Sequence, residues 1–182
     1  VRLAPAIAAH WFAEALRLLP ANAPAEQRIE LLGARARALT AVGRFEDSHA
    51  ALLDAVARVP AGSHELRARL ALACARVESD LGRQDQARQR LATALESLPD
   101  QNTREAVALM LELAVNAVWR TRHEELHEAA ERAVEAATRL GDTPLIASAL
   151  AELALADSIM GAPEQAEANR SQAVALVDSL SD

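Results

Sequence analysis

The pentapeptide His123-Glu124-Glu125-Leu126-His127 has the spacing of a zinc-binding helix. On a helix its two imidazoles lie one turn apart, where they could hold Zn²⁺ with Glu124 as general base. The surroundings argue otherwise. Glu125 and Glu128 crowd the motif with charge, whereas a zinc-peptidase helix is apolar around its ligands. The segment also falls at the opening of a helical pattern, with no sheet or second lobe to hold a substrate. It reads as a solvated helix start. Cys74 lies in the apolar stretch 70–75 and reads as a small buried hydrophobe. Arg76 is the only cation near it and would point away. His10, His49 and His64 show no spacing to Ser, Cys or Asp that builds a nucleophile, and they read as surface or boundary residues. No catalytic residue, metal ligand or cofactor is assigned.

Composition narrows the class. Of 182 residues, 44 are Ala and 27 are Leu; all 19 basic residues are Arg, and Tyr is absent. These are strong helix formers, which disfavours a β-sandwich or barrel. The net charge of −7 argues against direct nucleic-acid binding. An Arg cluster at Arg67, Arg69, Arg76, Arg83, Arg88 and Arg90 is interrupted by Glu78, Asp80 and Asp85, and reads as a salt-bridged helix pair. A single cysteine fits a reducing compartment, here the cytoplasm. No apolar run approaches the length of a membrane span, and no signal peptide is visible. The chain enters a helical pattern soon after Val1 and leaves one just before Asp182, so we read it as a piece of a longer protein.

Self-similarity decides the architecture. Pro20, Pro60 and Pro99 are spaced 40 and 39. Ala15, Ala55, Ala94, Ala133 and Ala173 keep the same step, as do Ala36, Ala75, Ala114 and Ala154. A fixed period of this size marks a solenoid. Each period holds two helical patterns. In the unit 26–60, Leu31, Leu32, Ala36, Leu39 and Val42 make one apolar face. Gly43 ends that helix, Phe45 opens the next, and Pro60 ends it. Ser48, Leu52, Leu53, Ala55, Val56 and Val59 are expected to face inward. In the last unit Leu150, Leu153, Ala154, Ala166, Ala173 and Val174 play this part. The third unit carries Thr121 where the others carry a turn Gly. The expected fold is all-α: a right-handed superhelix of antiparallel helix pairs with about nine helices. It forms one domain over 1–182, with an orphan helix at 5–19 and pairs near 24–59, 63–98, 103–139 and 143–180.

The unit Leu32-x3-Ala36-x2-Leu39-x3-Gly43-x-Phe45-x2-Ser48-x3-Leu52-x2-Ala55-x4-Pro60 resembles a tetratricopeptide repeat. Leu39 stands where that family has Tyr, Ser48 replaces the first second-helix Ala, and Leu52 replaces an aromatic. The texture is similar to the helical arm of the large LuxR-family, maltose-activator-like regulators of GC-rich actinobacteria. The phrases carrying that likeness are Ala8-Ala9-His10-Trp11, Ala15-Leu16-Arg17-Leu18-Leu19-Pro20, Ala41-Val42-Gly43-Arg44, Ala87-Arg88-Gln89-Arg90-Leu91 with Ala94-Leu95, and Arg139-Leu140-Gly141-Asp142. The resemblance implies an adjoining ATPase and a helix-turn-helix DNA reader in the parent chain. Neither motif lies within this chain, which has no Lys for a phosphate loop.

By position in such repeats, the first helix of each pair lines a concave face. That face would show Arg37 and Thr40, then Arg69, Leu72, Arg76 and Asp80, then Leu111, Val115, Val118 and Trp119, and finally Leu155, Ser158 and Ile159. A basic edge beside an aromatic platform suits an acidic peptide or a small polar ligand. The plainer alternative is that Trp119 packs between units and the arginines are solvated. The expected function is non-enzymatic: binding a protein partner or small-molecule inducer and coupling that signal within a transcriptional regulator. The alternative is a stand-alone scaffold that docks a partner's peptide segment.

Overall fold

The computed structural model describes residues 3–180, with side chains from Ala4; Val1, Arg2, Ser181 and Asp182 lie outside the described residues. Among the described residues there are nine α-helices and no strand: α1 (Leu3–Leu18), α2 (Ala25–Ala41), α3 (Phe45–Val56), α4 (His64–Asp80), α5 (Gln84–Glu96), α6 (Arg104–Trp119), α7 (His123–Leu140), α8 (Thr143–Ile159) and α9 (Pro163–Ser179). The chain is an all-α, tetratricopeptide-like helical repeat. Its contacts cluster into two compact units, Val1–Ala87 and Arg88–Asp182, with the boundary inside α5.

One turn recurs at every junction between the two helices of a pair. Its left-handed residue is Gly43 (φ 80°), Gly82 (φ 74°), Thr121 (φ 54°) or Gly161 (φ 79°). The following amide donates back across the turn: Arg44 N–H to Leu39 O, Arg83 to Glu78, Arg122 to Ala117 and Ala162 to Asp157, all within 2.8–2.9 Å. This is the six-to-one bond that satisfies a helix's last carbonyls. Glycine enters a left-handed turn without a Cβ clash; Thr121 does so against its β-branch. Other ends use side chains. Thr103 Oγ1 accepts from Ala106 N–H at the start of α6, and Asp142 Oδ1 accepts from Leu145 N–H at the start of α8.

In the first unit α1, α2, α3 and α4 pack in succession. Leu32, Ala36, Leu52, Ala55, Leu70, Cys74 and Val77 form its main cluster, so Cys74 is the buried hydrophobe its sequence context implied. In the second unit α6, α7, α8 and α9 pack in succession, and α6 also meets α8. Its cluster is Ala114, Ala117, Leu126 and Ala156. Small residues at these contacts let the helix axes approach closely.

Several inward positions differ from expectation. Leu53 is 40% exposed and Val174 47% exposed. Leu53 sits one step beyond the stripe defined by Leu52 and Ala55, and α9 has no following helix to cover Val174 among the described residues. Of the Arg cluster, Arg83 pairs with Glu46 at 2.6 Å and Arg88 with Glu125 at 3.2 Å, partners 37 residues away rather than local acids.

Candidate functional site

The first unit carries an open groove of about 990 Å³. Helices α2 and α4 supply most of its lining, and Ser48 and Leu52 reach it from α3. Four of the expected binding residues line it together: Arg37 and Thr40 from α2, Arg69 and Arg76 from α4. The three arginines are exposed. Ile29, Ala36, Leu70, Ala73 and Val77 supply apolar surface between them. Thr40 is already engaged there. Ser48 Oγ donates to Ala36 O at 2.9 Å, so the 2.9 Å contact between the hydroxyls has Thr40 as donor to Ser48. Thr40 therefore holds α3 against α2. Asp80 is exposed at the end of α4 and is not part of the groove lining, and neither is Leu72.

Gly33 is the lining residue that sequence reasoning passed over. It sits inside α2, outside the turn phase of the other glycines, at a cost of about 1 kcal/mol relative to Ala. A Cβ added there would meet only Arg37 Nη1, at 3.6 Å. Packing thus does not require glycine; the gap opens onto the groove. The available signal was a glycine within an otherwise continuous helical pattern.

The remaining expected residues lie in the second unit. Leu111 and Val115 are half-buried on α6, and Val118 packs against the Ala114–Leu126 cluster instead of lining a groove. Trp119, the last residue of α6, is 72% exposed, so it is not packed between repeats. Leu155 and Ser158 line a separate groove of about 890 Å³ on α8 and α9. Ile159 is exposed at the end of α8. Sequence reasoning also missed Glu152, a half-buried carboxyl on α8. Burial raises its pKa above the ordinary carboxylate value, and the charge of Glu112 on α6 adds to the rise.

Two histidines depart from expectation, whereas His10 and His64 are exposed as expected. His49 is 7% exposed, and its Nε2 lies 2.9 Å from Oε1 of Glu78, which has no exposure at all. His127 Nε2 lies 3.2 Å from Asp157 Oδ1, and Asn169 Nδ2 donates to the other oxygen of that carboxylate at 2.7 Å. His123 is exposed, so the zinc-like pentapeptide splits: one imidazole faces solvent and the other ties α7 to α8. No group of three or more His, Cys, Asp or Glu among the described residues is placed to hold a metal ion. No helix among them is long and apolar enough to cross a membrane.

No family model matches the chain, and no curated protein matches it. Solved structures do. BtubC from P. vanneervenii is similar over 93% of this chain and 72% of its own, at TM-score 0.79 and 17% identity. Bacillus thuringiensis PlcR, crystallised with the peptide PapR7 and DNA, is similar over 99% of this chain at TM-score 0.80 and 16% identity. A Rap protein in complex with competence and sporulation factor is similar over 92% of this chain at TM-score 0.71 and 16% identity. The chain spans 66% of the PlcR chain and 48% of the Rap chain. At these identities the likeness establishes a shared tetratricopeptide-like fold.

Proposed function

We propose that this chain is a binding module whose groove on α2 and α4 docks an extended peptide segment of a partner. The observation that carries the reading is the convergence of Arg37, Arg69 and Arg76 around an apolar groove floored in part by a helix-interior glycine. A concave, mostly apolar site with a few polar groups is the usual form of a recognition cleft. Gly33 keeps side-chain volume out of it, and an extended backbone is thin enough to use the space. The likeness to PlcR, whose structure holds a peptide, supports a peptide as the occupant.

Panning displayed random heptapeptides on the whole chain tests this. Enrichment is expected on the native protein and loss of enrichment on Gly33→Leu, whose helix content and thermal midpoint should be preserved. No enrichment on the native protein would sink the docking reading.

A finer setting is the signal-coupling arm of a cytoplasmic LuxR-type regulator, with an ATPase and a helix-turn-helix elsewhere in the parent chain. The phrases from Ala8-Ala9-His10-Trp11 to Arg139-Leu140-Gly141-Asp142 support it. There, docking would shift a population between two packings of the arm. Sequencing the full reading frame decides it: a phosphate-binding loop upstream and a DNA-reading helix pair downstream are expected, and stop codons close to both ends would refute it.

A further inference from the structure

We infer that this chain associates with copies of itself head to tail, the exposed face of α1 in one copy seating in the α8–α9 groove of the next. Ala154, Ala173, Val174 and Val177 line that groove and stand 118 residues, three periods, after Ala36, Ala55, Val56 and Val59. In the first unit those four belong to a core that α4 closes with Leu66, Leu70 and Val77. In the second unit the matching face is open, a space of about 890 Å³ with Leu155, Val174 and Leu180 exposed on it. The repeat therefore specifies what fits there. It is a helix with large apolar residues at i, i+4 and i+11, the spacing of Leu66, Leu70 and Val77.

Helix α1 carries that stripe on its surface. Ile7, Trp11 and Leu18 fall at i, i+4 and i+11, and they are 53%, 64% and 68% exposed. Its other face is already used, since Ala9, Phe12 and Leu16 pack within the first unit. The lengths agree as well: α1 has 16 residues and α4 has 17. Contiguous exposed apolar surface of this kind marks an association site. Charge does not oppose the fit. Arg170 stands where the first unit has Leu52, but its guanidinium turns back to Glu167 on its own helix at 2.6 Å. On α1, Arg17 holds Glu14 at 2.8 Å in the same way. What the two faces have left to share is apolar. Stripe and groove are different surfaces, so the contact is heterologous and each copy can engage two others.

Sedimentation velocity of the whole chain over a concentration series tests this, with one variant for each face. The native chain should gain mass with concentration. It should do so more readily with added NaCl, because salt screens the repulsion between copies that each carry −7. Trp11→Glu alone and Val174→Arg alone should each stay monomeric. Mixed in equal amounts, the two variants still offer one intact groove and one intact stripe. The mixture should therefore form a dimer and nothing larger. Ile7→Glu and Leu155→Arg disturb the same two faces and should repeat the pattern. Both members of each pair replace exposed residues, so helix content and thermal midpoint should match the native chain. A native chain that stays monomeric at the highest concentration would overturn the inference. So would assembly that survives Val174→Arg and Leu155→Arg but not Trp11→Glu, which would mean that the stripe pairs with itself. A mixture that fails to associate, or assembly dissolved by salt, would overturn it too. None of these results bears on peptide docking at α2 and α4.

Discussion

The same repeat position is used in two ways in the two units. His49 of α3 meets Glu78 of α4, and His127 of α7 meets Asp157 of α8. The histidines are 78 residues apart and the acids 79, two periods in each case. Each pair ties the second helix of one repeat to the first helix of the next. In the first unit the pair is sealed from solvent. In the second, His127 is partly open and Asp157 is shared with Asn169. Burial sets what such a pair is worth. A polar contact that water cannot replace is costly to lose, and one at a wet edge is not. The grooves differ as well: that of the first unit sets three arginines around an apolar floor, and that of the second is lined by Leu155, Ala173, Val174 and Val177 with Glu167 and Arg170.

Six substitutions break or sharpen this contrast. The largest effect is expected in the second unit's core. Leu126 is fully buried among alanines that cannot collapse far, so Leu126→Ala should cost about 3 kcal/mol by denaturant unfolding. Next come the two clasps. His49→Ala should cost about 2–3 kcal/mol, because it removes a hydrogen bond from a carboxyl with no access to water. His127→Ala should cost about 1 kcal/mol or less, since Asn169 still donates to Asp157 and His127 already stands partly in solvent. Equal losses would show that the two positions are not differently sealed.

Smaller effects follow at the turns and the acidic pair. Thr121→Gly should stabilise the chain by about 1 kcal/mol, while Gly82→Ala, the equivalent position in the preceding pair, should destabilise it by a similar amount. The smallest effect is expected for Glu152→Gln. The folded-state pKa of Glu152 lies above its ordinary value, so folding takes up a proton and the ionised form opposes folding. The cost of Glu152 grows as pH rises from the ordinary carboxylate pKa through the raised one. Glu152→Gln should therefore raise the thermal midpoint at pH 7, and the gain should shrink as the buffer is taken down toward the carboxylate range.

The helices and turns were legible because they are local. Gly43, Gly82 and Gly161 repeat a left-handed turn, and Thr121 in the same phase adopts it despite its side chain. The groove was half legible. Counting positions placed Arg37, Arg69 and Arg76 together, but it also placed Val118 in a groove when it belongs to the core. Helical phase fixes which face a residue takes, not how far the neighbouring helix covers it. The clasps were missed although their signal was present: His10, His49 and His127 fall in repeat register, at spacings of 39 and 78. Treated singly, each looked like a surface histidine. Their acid partners lie 29 and 30 residues on, a pairing visible only once α3–α4 and α7–α8 are seen to pack.

The central claim is that the face formed by α2 and α4 is where this chain recognises a partner segment. Hydrogen exchange of the whole chain, with and without a heptapeptide selected on it, tests that most directly. Slowed exchange confined to amides of α2 (Ala25–Ala41) and α4 (His64–Asp80) is the predicted result. Slowing centred on α8 and α9, with α2 and α4 unchanged, would contradict it and move the binding site to the groove of the second unit.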